Sequence, residues 1–493
     1  MTPEVIPSNA VNSAKGYETE LKEWIEAEKS AIEMINVVGK LWFDKSVELV
    51  IFRNQLVDRS ASEILNLHQY AKNIVKQPIN IKDTSELCIE LQKLDLAPAR
   101  IDIGKLGAEW LKEGANFASK ADFLNNKLAN YIGQEKSHIK AKDVILYGFG
   151  RIGRLAAREL IAQAGKGEQL RLRAIVTRST SAADIVKRAD LLRNDSVHGP
   201  FPGTVIEDLD NNALIINGHT IKMIGAKSPE DVNYESYGIY DALLIDNTGV
   251  ARDKEGLSKH LNAKGVSKVL LTAPGKGDIP NIVYGVNQNT LSKTETVYSA
   301  ASCTTNAIVP VLKVIEDSLG IERGHIETIH SYTNDQNLLD NYHDKYRRGR
   351  SAALNLVITE TGADKAVSKV LPHLAGKLTG NAVRVPTPNA SLAILSLTIK
   401  KETTKDEANA ILKDAALNGD LVEQIQYSFS NELVSSDIIG NPCPSVVDSP
   451  ATIVSNDKKN LILYVWYDNE YGYTRQVLRL AKHIADVRRL VYY

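Results

Sequence analysis

Apolar residues in the N-terminal part of the chain recur at helical spacing. Between about residues 13 and 134 they are separated by threes and fours, with few strand patterns between them. The clearest run is Leu21, Trp24, Ile25, Ala31, Ile32, Ile35, Val38 and Trp42. Turn or cap signals divide the region into about four or five amphipathic helices, at Gln77-Pro78, Ala97-Pro98 and Gly104. We therefore predict an all-α N-terminal domain over residues 1–140.

The pattern changes after residue 140. Short apolar runs now alternate with helical stretches, at 143–147, 170–176, 242–246 and 268–272. Strands of this kind, separated by helices, are typical of a parallel sheet with crossover connections. After residue 303 the strand candidates become longer, at 393–399 and 461–466, and a last helix is predicted from about 475 to 490. The later pattern indicates a second domain that contains a mixed sheet.

A glycine motif follows the first of these runs. Gly148, Gly150 and Gly153 form the pattern GxGxxG, and a helix candidate continues from Arg154. In dinucleotide sites the first glycine permits a tight turn, the second lets backbone NH groups approach the pyrophosphate, and the third allows close helix packing. The phosphates then lie at the positive end of the helix. The sequence therefore predicts an NAD(P)-binding Rossmann domain over residues 141–302.

The residues after the second strand candidate bear on the choice of coenzyme. An NAD-specific site normally places a carboxylate there, which binds the adenosine ribose hydroxyls. Here Thr177, Arg178 and Ser179 occupy that place, and the next carboxylate is Asp184. Arg178 could pair with a 2′-phosphate and Ser179 could hydrogen-bond to it, although a solvent-facing arginine would also explain the pattern. We expect NADP, or use of both coenzymes, rather than strict use of NAD.

Composition limits the class of protein. A chain of 493 residues is too long for one ordinary core, so two or three domains are expected. With 24% charged residues and a formal net charge of -1, no overall field attracts nucleic acid or an acidic membrane. The chain contains no apolar run of about 18 residues and no basic start followed by an apolar stretch. We expect a cytoplasmic enzyme that binds neither nucleic acid nor a membrane.

One of the three cysteines has an unusual setting. Cys88, Cys303 and Cys443 lie far apart, without the spacing of a disulfide framework or a metal site, so no metal is expected. Lone cysteines are usually small core residues. Cys303, however, lies in the polar run 302–306 where a helix should begin, and free NH groups and the helix dipole there would favour a thiolate. Pro310 predicts a kink in that helix or a later start.

The run ASCTTN at 301–306 resembles the active-site signature of the phosphorylating glyceraldehyde-3-phosphate dehydrogenases. Other segments resemble this family in the same order along the chain: GFGRIGR at 148–154, NDSVHG at 194–199, NTG at 247–249, TAP at 272–274, HSYT at 330–333, KLTG at 377–380, RVPTPN at 384–389 and WYDNEYGY at 466–473. The resemblance covers about residues 142–493. The chain is thereby identified as a member of the family, in a long form with an N-terminal helical extension.

The resemblance implies a reaction. Cys303 would be the nucleophile and His330 its base, so that a thiohemiacetal forms with the aldehyde and loses hydride to the nicotinamide. Inorganic phosphate would then attack the resulting thioester and release an acyl phosphate. The expected reaction is the reversible oxidation and phosphorylation of D-glyceraldehyde 3-phosphate to 1,3-bisphosphoglycerate.

The resemblance also implies binding residues. The substrate phosphate would be bound by Thr333 and Arg384, and the attacking phosphate by Ser302, Thr304, Arg347, Thr379 and Gly380. Hydroxyls, backbone NH groups and guanidinium groups suit phosphate oxygens. Which arginine of the run RRGR at 347–350 points inward stays open. The coenzyme would be contacted by Arg151 and Ile152 at the pyrophosphate loop, by Thr248 and Thr272, and at the nicotinamide by Asn469 and Tyr473.

Departures from the family pattern concentrate around the coenzyme. Tyr147 stands where the family commonly has asparagine, Thr177-Arg178 replace an expected Asn-Asp pair, and Tyr471 replaces a tryptophan. They leave the implied chemistry intact and put NAD specificity in question. By analogy with the family, the catalytic domain would cover 303–470, a C-terminal helix at 471–493 would return to the cofactor domain, and the assembly would be a homotetramer.

Two other functions remain open. The segments HSYTNDQ at 330–336 and DNYH at 340–343 resemble erythrose-4-phosphate dehydrogenase, a sibling within the family. Thr333 and the KLTG segment favour the triose enzyme, because they complete its phosphate sites. Alternatively, the chain could act chiefly as an interaction protein through its helical extension, which supplies no chemistry of its own.

Overall fold

The computed structural model describes residues 16–133, 135, 137, 139–292 and 294–493. The chain forms two compact units. One is built from the residues before 139 together with Arg489–Tyr493, and the other from Ile139–Arg488. In the described part of the chain, no helix is both long enough and apolar enough to cross a membrane. The prediction that the chain lacks a leader falls on residues 1–15, which lie outside the described residues.

The smaller unit combines helices with a short sheet. Its elements within the first 133 residues are α1 (Tyr17–Lys45), β1 (Glu48–Ile51), β2 (Asn54–Gln55), α2 (Ala61–Val75), α3 (Ile81–Lys93), β3 (Ala99–Asp102), α4 (Ile103–Glu113) and α5 (Lys120–Lys127). β1 pairs with β2 in antiparallel and with β3 in parallel orientation. The last strand of the chain, Leu490–Tyr492, pairs in parallel with the other edge of β3.

The prediction of an all-α N-terminal domain is therefore wrong, because this unit also contains a sheet. The helices that carry the 3.6-residue period are present, and α1 buries Met34, Leu41 and Trp42. β1 was missed because a fully buried run of four apolar or amphipathic residues has no alternation that separates it from a helix. The last strand lies more than three hundred residues from its partner in sequence, and no local pattern reports such a pairing.

The first part of the larger unit contains the predicted parallel sheet. Its elements are β4 (Lys142–Tyr147), α6 (Arg151–Ala162), β5 (Leu170–Thr177), α7 (Ala182–Arg193), β6 (Asn194–Asp195), β7 (Gly199–Pro200), β8 (Val205–Asp208), β9 (Ala213–Ile216), β10 (His219–Gly225), β11 (Ala242–Asp246), α8 (Lys254–Ser258), β12 (Val266–Leu271) and β13 (Val297–Ser299). The strand order is β13-β12-β11-β4-β5-β10-β9-β8, with parallel pairs from β13 to β10. All four apolar runs predicted for this region form central strands.

The second part of the larger unit contains a mixed sheet, as predicted. Its elements are α9 (Cys303–Leu319), β14 (Ile321–Ser331), β15 (Val357–Thr359), α10 (Ala363–Val370), β16 (Leu378–Val385), β17 (Ser391–Ile399), α11 (Lys405–Leu417), β18 (Ile425–Ser428), α12 (Ser435–Ile438), β19 (Ser445–Asp448), β20 (Ile453–Val454), β21 (Asn460–Tyr467) and α13 (Tyr471–Ile484). The order is β15-β16-β14-β17-β21-β19-β18, with β20 beside β21. α9 packs its apolar face onto this sheet.

The end of the chain differs from the single helix predicted to about residue 490. α13 stops at Ile484, and Asp486 adopts a left-handed conformation with φ of 55°. The chain then forms β22 (Leu490–Tyr492), which belongs to the smaller unit. α13 itself packs on α6: the Tyr471 hydroxyl donates to Glu159 at 2.8 Å. The residue that replaces the expected tryptophan therefore has a polar partner of its own. The domain boundaries at 302 and 470 stay predictions.

Candidate active site

Cys303 is the first residue of α9. The Ser302 side chain caps the helix by accepting the NH of Thr305 at 3.0 Å. Asn306 secures the segment before the cap, because its side-chain amide donates to the carbonyls of Ala300 and Ser302 at 2.8 and 2.9 Å. Pro310 lies within the helix, yet the helix does not start later as its presence suggested.

The sulfur of Cys303 faces a histidine. Cys303 Sγ lies 3.6 Å from Nε2 of His330, which is the penultimate residue of β14. The side chain of His330 is 6% exposed, whereas Cys303 is partly exposed. A thiol within hydrogen-bonding reach of an imidazole, open on one side, is the arrangement that nucleophilic catalysis by cysteine requires. The structure thus brings together the two predicted catalytic residues.

His330 is held in its neutral form. Burial, and then the positive charge of Arg384, lower the pKa of His330 to about 3. Its Nδ1 lies 2.7 Å from the Ser331 carbonyl and 2.8 Å from Nη1 of Arg384. With a proton on Nδ1, the ring donates to Ser331 and presents a lone pair on Nε2 to the thiol. With Nδ1 unprotonated, it accepts from Arg384 and Nε2–H faces the sulfur. Both neutral tautomers have a partner.

Opposing effects act on the Cys303 thiol. Burial raises its pKa, while the Arg384 cation and hydrogen bonds from Thr304 and the backbone at the helix start lower it. Together these effects raise the pKa of Cys303, so the thiol dominates here and not the thiolate that the helix start led us to expect. Transfer of the thiol proton to the neutral imidazole then becomes part of the reaction.

Tyr467 is a neighbour of this pair that the sequence did not reveal. Its hydroxyl lies 3.0 Å from the Thr304 hydroxyl and 2.7 Å from that of Thr328, and its ring centroid is 6.0 Å from that of His330. Tyr467 is the last residue of β21, where inward and outward side chains alternate. The alternation could have marked it as buried, but not as a partner of the helix that carries Cys303.

A cavity of about 450 Å³ lies beside the glycine motif. Gly148 and Gly150 line it together with Thr248 and Arg178. Gly148 has φ of 94°, which favours glycine, and a Cβ on Gly153 would collide with the carbonyl oxygen of Gly148. No atom of a described residue lies within 4 Å of a Cβ on Gly150, so its backbone faces open space among these residues. These features fit the adenosine and pyrophosphate parts of a dinucleotide.

Other predicted coenzyme residues lie around this cavity without lining it. The Ser179 hydroxyl donates to Asp184 at 2.5 Å, and the Thr272 hydroxyl donates to the Asp246 carbonyl at 3.1 Å. Ile152 packs against the core of the cofactor domain. Arg151 Nε donates to Glu470 at 2.8 Å, and its guanidinium also pairs with Asp195. In this state the structure gives Ser179, Thr272 and Arg151 protein partners.

Two family models match the larger unit. The NAD-binding domain of glyceraldehyde 3-phosphate dehydrogenase matches residues 142–254, and the C-terminal domain of the same enzyme matches residues 302–469. The chain belongs to the glyceraldehyde-3-phosphate dehydrogenase family. Family members are oxidoreductases with a nicotinamide-coenzyme domain, which agrees with the fold and with the paired Cys303 and His330.

Individual relatives fall into two groups by length. A "glyceraldehyde-3-phosphate dehydrogenase-like protein" of Pseudomonas aeruginosa is 49% identical over 457 residues, which are 92% of this chain and 98% of that protein. The enzyme of Zymomonas mobilis is 39% identical and the chloroplastic A enzyme of Zea mays 41% identical, covering 70% and 75% of this chain and 99% and 89% of their own. The Pseudomonas match is long enough to include most of the N-terminal extension.

In the run RRGR, Arg348 points inward, whereas Arg347 was the arginine predicted from the sequence. Arg347 is exposed, whereas Arg348 is 8% exposed, donates to the Thr359 hydroxyl at 3.0 Å and pairs with Asp335. Its charge is also among the causes that lower the pKa of His330. The run RRGR offers no periodicity from which one arginine could be chosen, because it forms a short 3₁₀ turn.

The predicted Thr379 is not part of the site. β16 runs beside β14 with Thr379 opposite His325 and Arg384 opposite His330. Thr379 lies five residues from Arg384, so the two side chains leave opposite faces of the strand, roughly 16 Å apart along it. The Thr379 hydroxyl instead lies 2.9 Å from Nδ1 of His325. The KLTG segment resembles the family, but it does not supply that phosphate ligand.

Gly380 lines an open cavity of about 770 Å³ that differs from the cavity beside the glycine motif. Arg347, Arg348 and Thr361 also line it. Cγ2 of Thr361 is 3.6 Å from the position of a Cβ on Gly380. Thr361 was missed by the sequence reasoning, although Thr361-Gly362 directly precedes α10 and is a typical signal for a helix start. Thr333 follows β14 in a turn, where its carbonyl accepts the NH of Gln336 at 2.9 Å.

Asn469 and Tyr473, the residues predicted to contact the nicotinamide, are each held by a hydrogen bond to another part of the larger unit. Asn469, 7% exposed, accepts a hydrogen bond from the Ser391 hydroxyl at 2.9 Å, and the same hydroxyl accepts the NH of Ser331. The Tyr473 hydroxyl donates to the carbonyl of Ala301 at 2.9 Å, a residue with φ of 54°. Tyr473 therefore fixes the backbone just before the helix cap, and Ser391 links Asn469 to the strand that carries His330.

Proposed function

We propose that this protein catalyses the reversible oxidation and phosphorylation of D-glyceraldehyde 3-phosphate to 1,3-bisphosphoglycerate with NAD or NADP. The observation that carries the proposal is the 3.6 Å approach of Cys303 Sγ to a neutral His330, beside the guanidinium of Arg384. Membership of the dehydrogenase family and the coenzyme-shaped cavity support the same reaction.

The first half of the reaction follows from this geometry. His330, with its proton on Nδ1 and bound to the Ser331 carbonyl, takes the thiol proton of Cys303 on Nε2. The sulfur attacks the aldehyde carbon, and the oxygen that becomes negative faces the NH groups at the start of α9 and takes the proton from the imidazolium. The thiohemiacetal therefore carries a hydroxyl, and His330 is neutral again. Thr304 is held in place by the hydroxyl of Tyr467.

The second half returns the thiol. A bound nicotinamide coenzyme supplies the acceptor for the hydride of the thiohemiacetal carbon, while His330 accepts the proton of its hydroxyl. The Cys303 thioester that remains is attacked by an oxygen of inorganic phosphate. The sulfur leaves as thiolate, recovers a proton from His330, and the acyl phosphate departs.

Two groups of residues are proposed to bind the phosphates. The substrate phosphate would be bound by Arg384, which lies on β16, and by Thr333, which follows the neighbouring strand β14. For the attacking phosphate we retain Ser302 and Thr304 at the start of α9 and add Arg348 and Thr361 in place of Arg347 and Thr379. The burial of Arg348 supports the first exchange, and the position of Thr361 in the lining of the cavity that Gly380 also lines supports the second.

The assembly and location are proposed on separate grounds. Large apolar side chains are exposed in the segment between β14 and β16, namely Leu338, Leu339, Tyr342, Tyr346, Leu354, Leu356 and Ile358. They support the expected homotetramer, because such a patch on a monomer usually marks an interface. All three cysteines are unbonded, which supports the reducing cytoplasm as the location.

Activity measurements on glyceraldehyde 3-phosphate, with and without inorganic phosphate, test the function. We expect turnover that requires phosphate, and loss of at least about 10³-fold in kcat for Cys303→Ser with KM little changed. Cys88→Ser and Cys443→Ser are matched controls, because both cysteines are buried and the thiol that lies beside His330 is that of Cys303. Phosphate-independent turnover of erythrose 4-phosphate alone would favour the sibling enzyme, and a fully active Cys303→Ser variant would return the scaffold hypothesis.

A further inference from the structure

The cavity beside the glycine motif has an unusual charge. Three cations line it: Arg178 at the end of β5, Arg188 on α7 and Lys227 in the loop after β10. The one carboxylate that lines the same cavity is Asp246. Asp246 is 2% exposed and already accepts from Thr248 and lies 3.1 Å from His260. The cavity therefore carries an excess of positive charge at its surface.

None of these cations forms an ion pair or a side-chain hydrogen bond with a described residue, although the charge of Arg188 helps to lower the pKa of Asp184. Among the described residues, no carboxylate lies within ion-pairing distance of Arg178, Arg188 or Lys227. Nε of Arg188 is buried and makes no hydrogen bond in the structure. A guanidinium nitrogen that is shielded from water without an acceptor is costly. Nε of Arg188 shares this feature with other arginines of the chain, but Arg188 also lines a cavity, where a ligand can bring the acceptor.

Asp184 is the nearest carboxylate along α7 that could accept from Arg188, but its oxygen has other partners. Asp184 precedes Arg188 by one helical turn, but its Oδ2 accepts from the hydroxyls of Ser179 and Ser181 at 2.5 and 2.7 Å. Asp184 is not among the residues that line the cavity. The first carboxylate after β5 is thus occupied by two serine hydroxyls in the first turn of α7, where Ser181 is the N-cap.

We propose that Arg188 and Lys227 complete, with Arg178, a three-cation site for the 2′-phosphate of NADP. This inference rests on the proposed function, since it assigns the adenosine end of the coenzyme to this cavity. A phosphate monoester carries close to two negative charges at neutral pH and accepts several charge-assisted hydrogen bonds. Three converging cations match it, whereas a ribose with free hydroxyls would leave them uncompensated.

Two nucleotide fragments test the site without catalysis. Binding of 2′,5′-ADP and of 5′-ADP to the full chain is measured by calorimetry for the wild type, Arg188→Gln, Lys227→Gln and Lys187→Gln. Lys187 is exposed on α7 beside Arg188 but does not line the cavity, so Lys187→Gln is the matched loss of charge. We expect the wild type to bind 2′,5′-ADP at least about tenfold more tightly than 5′-ADP.

Each cavity variant should weaken 2′,5′-ADP about tenfold and change 5′-ADP by less than about twofold, while Lys187→Gln changes neither by more than about twofold. Equal weakening of both nucleotides, or no difference from Lys187→Gln, would overturn the inference. If Arg188→Gln does not fold, Lys227→Gln decides, because Lys227 lies in an exposed loop. Selective binding of 2′,5′-ADP by an enzyme that does not oxidise the triose would contradict the proposed function and leave this site standing.

Discussion

The reactivity of the active site depends on how single charged side chains are placed around Cys303. Arg384 acts on both members of the catalytic pair: it lowers the pKa of His330 and opposes the rise in the pKa of Cys303 that burial causes. It also donates to the Ser331 carbonyl at 2.8 Å. After burial, which is the larger cause for both residues, the charge of Arg384 is the main influence on the protonation of the pair.

Removal of this charge gives a pH-dependent prediction. In Arg384→Gln, alkylation of Cys303 by iodoacetamide should rise at higher pH than in the wild type, because the thiolate loses its nearby cation and its pKa increases. Below the thiol pKa the rate should climb about tenfold per pH unit in both proteins. In the wild type, burial and the charge of Arg384 lower the pKa of His330 to about 3, so the imidazole stays neutral across this range. In the variant the pKa of His330 rises, but burial, the larger cause, still keeps it below its ordinary value and the imidazole neutral where the thiol titrates.

Alkylation is read by peptide mass spectrometry in the absence of substrate, so the expected role of Arg384 in phosphate binding does not interfere. Arg347→Gln is the control, because that arginine is exposed and does not contact His330. A wild-type and an Arg384→Gln profile that coincide would show that the charge does not act on the thiol.

Secondary-structure elements of the larger unit were predictable to a large extent. The four apolar runs before residue 303 form β4, β5, β11 and β12, and the helix at Cys303 begins at the polar cluster that marked it. These elements follow from local periodicity and capping, which depend only on neighbouring residues. The strands of the smaller unit were missed because they are short and one of them comes from the other end of the chain.

The turn between β4 and α6 makes a second prediction. In Gly153→Ala the new Cβ would collide with the Gly148 carbonyl, so the variant should lose about 1–3 kcal/mol of stability and bind coenzyme poorly. Gly150→Ala meets no protein atom and should keep its stability, but it should weaken coenzyme binding because the methyl enters the space for the pyrophosphate. Thermal unfolding and coenzyme titration separate the two outcomes.

The contrast between the two glycines is the critical result. If Gly150→Ala unfolds as early as Gly153→Ala, the open space at Gly150 does not exist in solution. If Gly150→Ala binds coenzyme as well as the wild type, the pyrophosphate does not pass over this residue.

At the scale of the whole molecule, the chain leaves the smaller unit after residue 138 and returns to it at Arg489. The returning segment is well anchored: the Tyr131 hydroxyl donates to the Val491 carbonyl and the Tyr492 hydroxyl to Glu109, both at 2.6 Å. The Arg489 guanidinium lies 4.5 Å from the ring centroid of Trp42. The smaller unit is thus built from both ends of the described chain.

Deletion of Arg489–Tyr493 should therefore destabilise the smaller unit. β3 would become an edge strand. The unit would also lose the hydrogen bonds that join Tyr131 to Val491 and Tyr492 to Glu109, at a total cost of about 2 kcal/mol or more. Hydrogen exchange should show faster exchange in β3 and in the helices of this unit, with exchange in β14 and β17 as internal reference. Unchanged protection of β3 would mean that β22 adds nothing to the fold.

The sequence by itself determined the four central strands of the parallel sheet, two long strands of the mixed sheet and the glycine motif. Its resemblance to a family singled out Cys303 and His330, which the structure places side by side. These features depend on residue order over short distances, or on motifs that retain their order along the chain. The tertiary structure decided which arginine is buried beside His330, that Thr379 lies on the wrong face of β16, and that three distant cations line one cavity. It also decided where the last strand pairs, because strand register and side-chain convergence arise from contacts between residues far apart in sequence.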